Sequence, residues 1–262
     1  MDFEPILDKT ITIAQEAGAI PRAYFSRPFQ QFMKGEKDIV TDADRDTEAF
    51  LYDALKKAFP DFGIVGEEGT DYLPEANYRW YIDPIDGTTN FAHRLPHFSV
   101  SLGLANADNI PVLGVIFDPM RDECFAAFMR GGATMNGAPI AVSEVESVEA
   151  AVISTGFPYD RRTNPRDLHE VFTRFSMEAQ SVRDLGSSAL DFAWTAMGRL
   201  DGYWEVSINR WDCYAGIIIL EEAGGKATGY DGSKEPLRRE KIATVASNGR
   251  IHERMLELIH AE

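Results

Sequence analysis

Cysteine is nearly absent from this 262-residue chain, which carries only Cys124 and Cys213. The two form no close pair, so no disulfide framework organises the fold. Long apolar runs are missing too: AGIIIL at 215–220 is far too short to cross a bilayer. Basic residues are scarce. Twenty-six Lys and Arg stand against forty-two Asp and Glu, a formal net charge of −16, and no Lys/Arg-rich run stands out. Such a chain is electrostatically ill-suited to nucleic acid or to an anionic membrane. The opening MDFEPILDKT is charged and lacks an apolar core of signal-peptide length, so a cytoplasmic location is expected. There is no internal repeat, low-complexity tract or Gly/Ser linker. An acidic protein that handles an anionic substrate must bring its own positive charge, and metal ions are the simplest source.

What is present is ordered hydrophobic patterning. Residues 4–25 read as a helix with Ile6, Leu7, Ile13, Ala14 and Ala17 on one stripe and a kink at Pro21. Residues 44–58 read as a second helix, closed by Pro60. From Phe62 to Val142 the pattern turns to period two or continuous apolar runs, with Asn136-Gly137 as a hairpin signal, so a largely antiparallel sheet is expected. Beyond about residue 150, strands (AAVIST, SVRDL, DGYWEV, GKAT, IATVAS) alternate with helices over 166–178, 188–198, 211–223 and 249–260. This order predicts an α+β layered fold. Its subdomains would be 1–145 and 146–262, packed as one unit with the site between them.

The segment WYIDPIDGTTNF, Trp80 to Phe91, concentrates the chemistry. Asp83 and Asp86 follow an apolar strand, and Pro84 between them stiffens the turn. Gly87 permits close backbone approach, and Thr88-Thr89-Asn90 starts a helix whose N–H groups favour phosphate. Taken alone, D-P-x-D-G is more often an ordinary turn with a cap. It is not alone: GIVGEEGT ends another strand on Glu67 and Glu68, and NRWDCYAG puts Asp212 at the beginning of an apolar helix, where N-capping is the simpler role. Carboxylates converging at buried element ends are prohibitive without cations and favourable with Mg²⁺, which takes oxygen ligands. DADRD at 42–46 fails as a calcium loop, because Thr47 replaces the required glycine and Asp53 the closing glutamate. Pro96 and the lack of nearby cysteine argue for a packing or surface role rather than zinc ligation by His93 and His97.

GEE, WYIDPIDGTTNFAH and WDCYAG…EEAGG, in this order, resemble the inositol monophosphatase family of magnesium-dependent, lithium-sensitive phosphatases. The resemblance runs from about Lys34 to Asn248, and implies an αβαβα sandwich and a homodimer. It implies two or three Mg²⁺ ions. Glu67, Asp83 and the Ile85 carbonyl would hold the first, Asp83, Asp86 and Asp212 the second, with Glu68 acting through water near a weaker third. Asp44, paired with Thr88, would orient the attacking water and accept its proton, with Glu67 part of the same machinery. Asp86, Gly87 and Thr88 would contact phosphate, and Gly186, Ser188 and Glu205 the polyol. Lys34 matches a family lysine only loosely and is left out.

The implied reaction is hydrolysis of a small phosphate monoester, inositol monophosphate first, by metal-activated water without a covalent phospho-enzyme. A broader phosphatase acting on fructose 1,6-bisphosphate, an adenosine bisphosphate or NADP is the neighbouring reading. A catalytically silent regulatory protein is the rival, and it should have lost a carboxylate or the Thr88–Asp44 pair. Three positions depart from the family pattern: Arg210 before the W-D pair, Thr134-Met135 in the hairpin, and Gly69 after the glutamates. Arg210 either faces solvent or, helped by Arg183, grips a second anionic group on the substrate.

Overall fold

The computed structural model describes residues 1–35, 38–159 and 168–261. The chain runs α1 (Glu4–Phe25), β1 (Gln31–Met33), β2 (Ile39–Thr41), α2 (Asp42–Ala58), β3 (Gly63–Gly66), β4 (Asp71–Tyr72), β5 (Tyr78–Asp86) and α3 (Thr88–Ala92). It continues with β6 (Ser99–Asn106), β7 (Pro111–Asp118), β8 (Glu123–Phe128), β9 (Gly132–Met135) and β10 (Ala138–Pro139). The later part comprises β11 (Val152–Thr155), α4 (Leu168–Glu178), β12 (Ser181–Asp184), α5 (Ser188–Ala196) and β13 (Gly202–Asn209). Then follow α6 (Arg210–Glu222), β14 (Lys226–Gly229), β15 (Lys241–Ser247) and α7 (His252–His260). The first two residues of the helix expected over 166–178 lie outside the described residues.

Local chemistry explains the boundaries. Helix α2 starts two residues earlier than its apolar stripe, because Thr41 caps it and Asp44 reaches back to the Thr41 N–H at 2.8 Å. Asp42 and Asp44 sit at its positive end and Lys56 and Lys57 at its negative end. Pro21 lies buried in the last turns of α1, yet the helix continues to Phe25. Asn136 and Gly137 both take positive φ and close the β9–β10 hairpin.

Eight strands form one sheet in the order β10-β9-β8-β7-β6-β5-β3-β4, antiparallel except where β3 runs parallel to β5. Five form a second, ordered β12-β11-β13-β15-β14, with β11 parallel to both neighbours. Both sheets are covered on both faces, which is why their strands read as near-continuous apolar runs. Helices α1 and α2 bury Ile13, Ala17, Leu51 and Leu55 against Trp80, Ile82 and Leu102 of the larger sheet. Its other face meets α5 and α6, which also cover the smaller sheet through Tyr203 and Ala246. Helices α4 and α7 close the outside over Trp204, Val245 and Ile251. The layers are thus α, β, α, β, α.

Two glycines let α6 lie close to the large sheet. A Cβ on Gly114 of β7 would stand 2.5 Å from the Ala215 carbonyl oxygen, and one on Gly103 of β6 would stand 2.8 Å from the Ala215 nitrogen. Both obstacles are backbone, so neither can yield by a rotamer change. Gly114→Ala should therefore destabilise the fold by about 1–3 kcal/mol through overpacking. Chemical denaturation reads this as a lower midpoint; an unchanged midpoint contradicts the close helix–sheet contact.

Candidate active site

The aspartates of β5 owe their geometry to a bulge. Asp83 and Asp86 pair with Ser101 and Ser99 of β6, so three steps on one strand oppose two on the other. In a regular strand, positions three apart face opposite ways; the extra residue turns both carboxylates to one side. Pro84, which lacks an N–H, is tolerated at such a site. The Ile85 N–H donates to Asp83 Oδ1 at 2.9 Å and tightens the turn.

Asp212 arrives from the other half of the chain. It sits in the first turn of α6 and caps it from within, its Oδ2 accepting the Asn209 N–H at 2.6 Å. The capping reading therefore holds, and the same carboxyl also joins a cluster in which oxygens of Asp83, Asp86 and Asp212 lie within 4.8 Å of one another. Asp86 is bound to the same half. It accepts the Ala189 N–H at 2.9 Å, the Ser188 N–H at 3.2 Å and the Ser187 hydroxyl, all at the start of α5.

Glu67 lines the same cavity but stands outside that tight trio. Its turn is shaped by Glu48 of α2, which accepts the Glu68 N–H at 2.8 Å and the Thr70 N–H at 3.0 Å. The turn has to pass this carboxylate with no side chain: a Cβ on Gly66 would lie 2.6 Å from Glu48 Cδ. Lys34 donates to Glu67 at 3.0 Å and to Glu68 at 2.5 Å. Burial opposes its charge, but the two glutamates hold the ammonium above its ordinary pKa. Lys34 is thus next to the site after all, and its loose spacing in sequence hid it. Glu48 and Ser187 carried no sequence signal, since a lone Glu in a helix and a serine in a turn are commonplace.

Thr88 donates to Asp44 Oδ1 at 3.1 Å, with the Ile85 carbonyl as a second acceptor at 3.0 Å. Asp44 also receives the Thr41 hydroxyl at 2.5 Å. Gly87, at φ 98°, has no room for a side chain, because Gly186 O would lie 3.0 Å from its Cβ. Asn90 fastens the two loops by donating to the Leu185 carbonyl at 2.7 Å. Glu205 accepts from Ser188 Oγ at 3.1 Å and from the Tyr203 hydroxyl. Helix α3 itself is only five residues long.

Glu67, Asp83, Asp86, Thr88, Glu205 and Asp212 are among the residues that line a cavity of about 790 Å³, within the size range of small-molecule sites. Neither doubtful arginine is among its described lining residues. Arg210 is turned to the back, donating to the Arg238 carbonyl at 2.7 Å, the Arg239 carbonyl at 3.0 Å and the Tyr81 hydroxyl at 3.1 Å. Each of its three nitrogens thus helps to fasten that loop to β5, so the guanidinium faces backbone and Tyr81 rather than the cavity. Arg183 lies exposed on β12, bonded to Ser181 Oγ and the Val182 carbonyl at 3.0 Å. His97 is half-buried and edge-on against Trp194, and His93 is exposed.

Burial dominates the electrostatics. It pushes the Asp83 carboxyl well above the usual range, with the charges of Glu67, Asp86 and Asp212 adding to the effect. Glu67, Asp86 and Asp212 are raised to about 7 by burial and by one another's charge. Burial also raises Glu205 to about 7, opposed by its bond from Tyr203. Buried hard oxygen donors that cannot all ionise without a counter-charge are the donor set Mg²⁺ prefers, so these residues fit such an ion. When a carboxyl is raised in the folded state, folding favours its protonated form, and that stability is lost as pH climbs from the unfolded value through the folded one. The metal-free protein should therefore lose stability between about pH 4 and pH 7. Added Mg²⁺ should flatten the loss. Melting temperature against pH, in chelator and in Mg²⁺, checks this; a stability that rises over the same interval in chelator contradicts it.

Comparison with known proteins agrees with the layered architecture. The profile of the Inositol monophosphatase family matches residues 2–262. An inositol-1-monophosphatase of Synechocystis sp. is 43% identical over 86% of this chain and 77% of its own length. The Nus factor SuhB of Salmonella typhimurium is 33% identical over 97% of this chain and 95% of its own. A solved inositol monophosphatase from Anabaena (Nostoc) sp. superposes with a TM-score of 0.88 at 38% identity, covering 99% of this chain and 96% of that one. With a profile match over nearly its whole length, and with the same layered architecture, the chain belongs to the inositol monophosphatase family.

Proposed function

We propose that the protein hydrolyses phosphate monoesters, inositol monophosphate foremost, with Mg²⁺ as cofactor. The observation that carries this reading is the trio Asp83, Asp86 and Asp212, the first two buried and the third half-buried, lining one cavity with oxygens within 4.8 Å of one another. Asp83, Asp86 and Asp212 would hold one ion; Glu67, Asp83 and the Ile85 carbonyl would hold another, with Glu68 near a third. Bound Mg²⁺ supplies the positive charge that neutralises the phosphate and makes water acidic enough to attack at neutral pH.

The remaining work falls to the chain. Thr88 Oγ1 donates to Asp44 at 3.1 Å, so its lone pairs are left to accept a proton from the attacking water. As that proton arrives, the hydroxyl's own proton passes to Asp44. Burial raises the Asp44 carboxyl, which suits it to take the proton. The backbone at Gly87 and Thr88 would meet the phosphate, while Gly186, Ser188 and Glu205 would receive hydroxyl groups of the departing polyol. Lys34 keeps Glu67 and Glu68 in place by charge. The whole ligand set and the Thr88–Asp44 pair favour an enzyme over a silent member of the family. A cytoplasmic homodimer is the assembly this reading carries with it.

The test is phosphate release from inositol 1-phosphate in Mg²⁺. Asp83→Asn should abolish it while the metal-free protein remains at least as stable as the wild type, since a repelling carboxylate is gone. Thr88→Ala should lower kcat by about two orders of magnitude with little change in KM, because the lost contact acts in the transition state. Wild-type turnover by folded Asp83→Asn sinks the metal assignment. Preserved kcat in Thr88→Ala with weakened Mg²⁺ binding makes Thr88 structural instead.

A further inference from the structure

Helix α2 carries two buried acids one turn apart, Asp44 and Glu48. Acids four residues apart on a helix work against it, and burial makes the pair costlier still. Asp44 serves Thr88. Glu48 reaches the turn after β3 instead, where Oε2 accepts the Glu68 N–H at 2.8 Å and Oε1 accepts the Thr70 N–H at 3.0 Å. Both of its oxygens are spent on backbone.

The turn has other supports, but none of the same kind. The Glu67 N–H donates to the Ile82 carbonyl of β5 at 3.2 Å, and the Gly66 N–H to the Thr70 carbonyl at 3.0 Å. Lys34 holds the turn through the carboxylates of Glu67 and Glu68, the groups that a cation would claim. The Glu48 bonds go to N–H groups and persist whatever those carboxylates bind. Gly66 records how closely the parts fit: a Cβ there would lie 2.6 Å from Glu48 Oε2 and 2.8 Å from Oε1. Its φ is not positive, so glycine is required there by this contact and not by backbone conformation.

We propose that Glu48 is a positioning residue for the cation beside Glu67: it fixes the backbone of the Glu67–Thr70 turn and so sets that ion's affinity without touching it. The inference rests on the metal-dependent phosphatase reading above. Helix α2 then mounts both the Thr88–Asp44 pair and the turn that carries Glu67, from side chains about 6 Å apart along its axis. Groups that orient metal ligands in this way change affinity by about ten- to a hundredfold when lost.

The experiment is calorimetric titration of Mg²⁺, and separately Mn²⁺, into the full-length metal-free protein. Glu48→Gln sets an NH₂ group against one of the two N–H donors and should weaken one binding event by about tenfold, leaving another unchanged. Glu67→Gln should abolish that same event, which assigns it. Glu48→Asp keeps the charge but is one methylene short of the turn, so it should weaken the event as Gln does. Gly66→Ala approaches the same contact from the other side. It should reproduce the loss in the wild type and add nothing in a Glu48→Ala background, where the atoms it displaces are gone. The Mg²⁺ concentration for half-maximal phosphate release from inositol 1-phosphate should rise in step with the weakened event. Unchanged affinity in Glu48→Gln, equal weakening of every event, or wild-type binding by Glu48→Asp overturns the proposal and leaves the phosphatase reading in place. A wild type that releases no phosphate sinks that reading, while the titrations still decide the role of Glu48; a wild type that binds neither cation overturns both.

Discussion

Mutual repulsion among buried carboxylates is the constraint on which this structure turns. Oxygens of Asp83, Asp86 and Asp212 approach within 4.8 Å, with Asp83 and Asp86 buried and Asp212 half-buried. Few arrangements are less favourable for an apoprotein. The fold nevertheless holds them there, because each is fastened by bonds that also build the chain. Asp86 anchors the start of α5, Asp212 closes the first turn of α6, and Asp83 tightens a bulge in β5. The same carboxylates stabilise backbone and, on the function proposed above, would present oxygen to a cation.

The layers make this convergence possible. The large sheet supplies Asp83 and Asp86, whereas α5, α6 and the small sheet supply Ser187, Asp212 and Glu205. Helix α6 can bring Asp212 to the end of β5 only because Gly103 and Gly114 let its backbone touch the sheet. A second bulge, between Glu205 and Ile208 of β13, lies along the wall that carries Glu205 and Asn209 to the cavity. Packing and chemistry therefore meet at the same few glycines and bulges.

Much of this was legible in the sequence. Continuous apolar runs marked strands buried on both faces, and carboxylates just after those runs marked the site. The resemblance to the family supplied pairings that spacing could not, such as Asp44 with Thr88, forty-four positions apart. What stayed hidden was side-chain direction. Arg210 adjoins Trp211 and Asp212 in sequence but leaves on the far side of the helix start, where backbone carbonyls and Tyr81 hold it. Lys34 lies far from the acidic motifs along the chain and reaches the site only through hairpin pairing. Glu48 was invisible for the same reason: its task is to hold a turn twenty residues away.

The central claim is that the junction of the two halves is a divalent-cation site. Manganese diffused into crystals of the protein, located by anomalous scattering, tests it most directly. The account predicts density among Asp83, Asp86 and Asp212, with further density beside Glu67. Ordered side chains with no anomalous density there, at a manganese concentration that supports turnover, would contradict it.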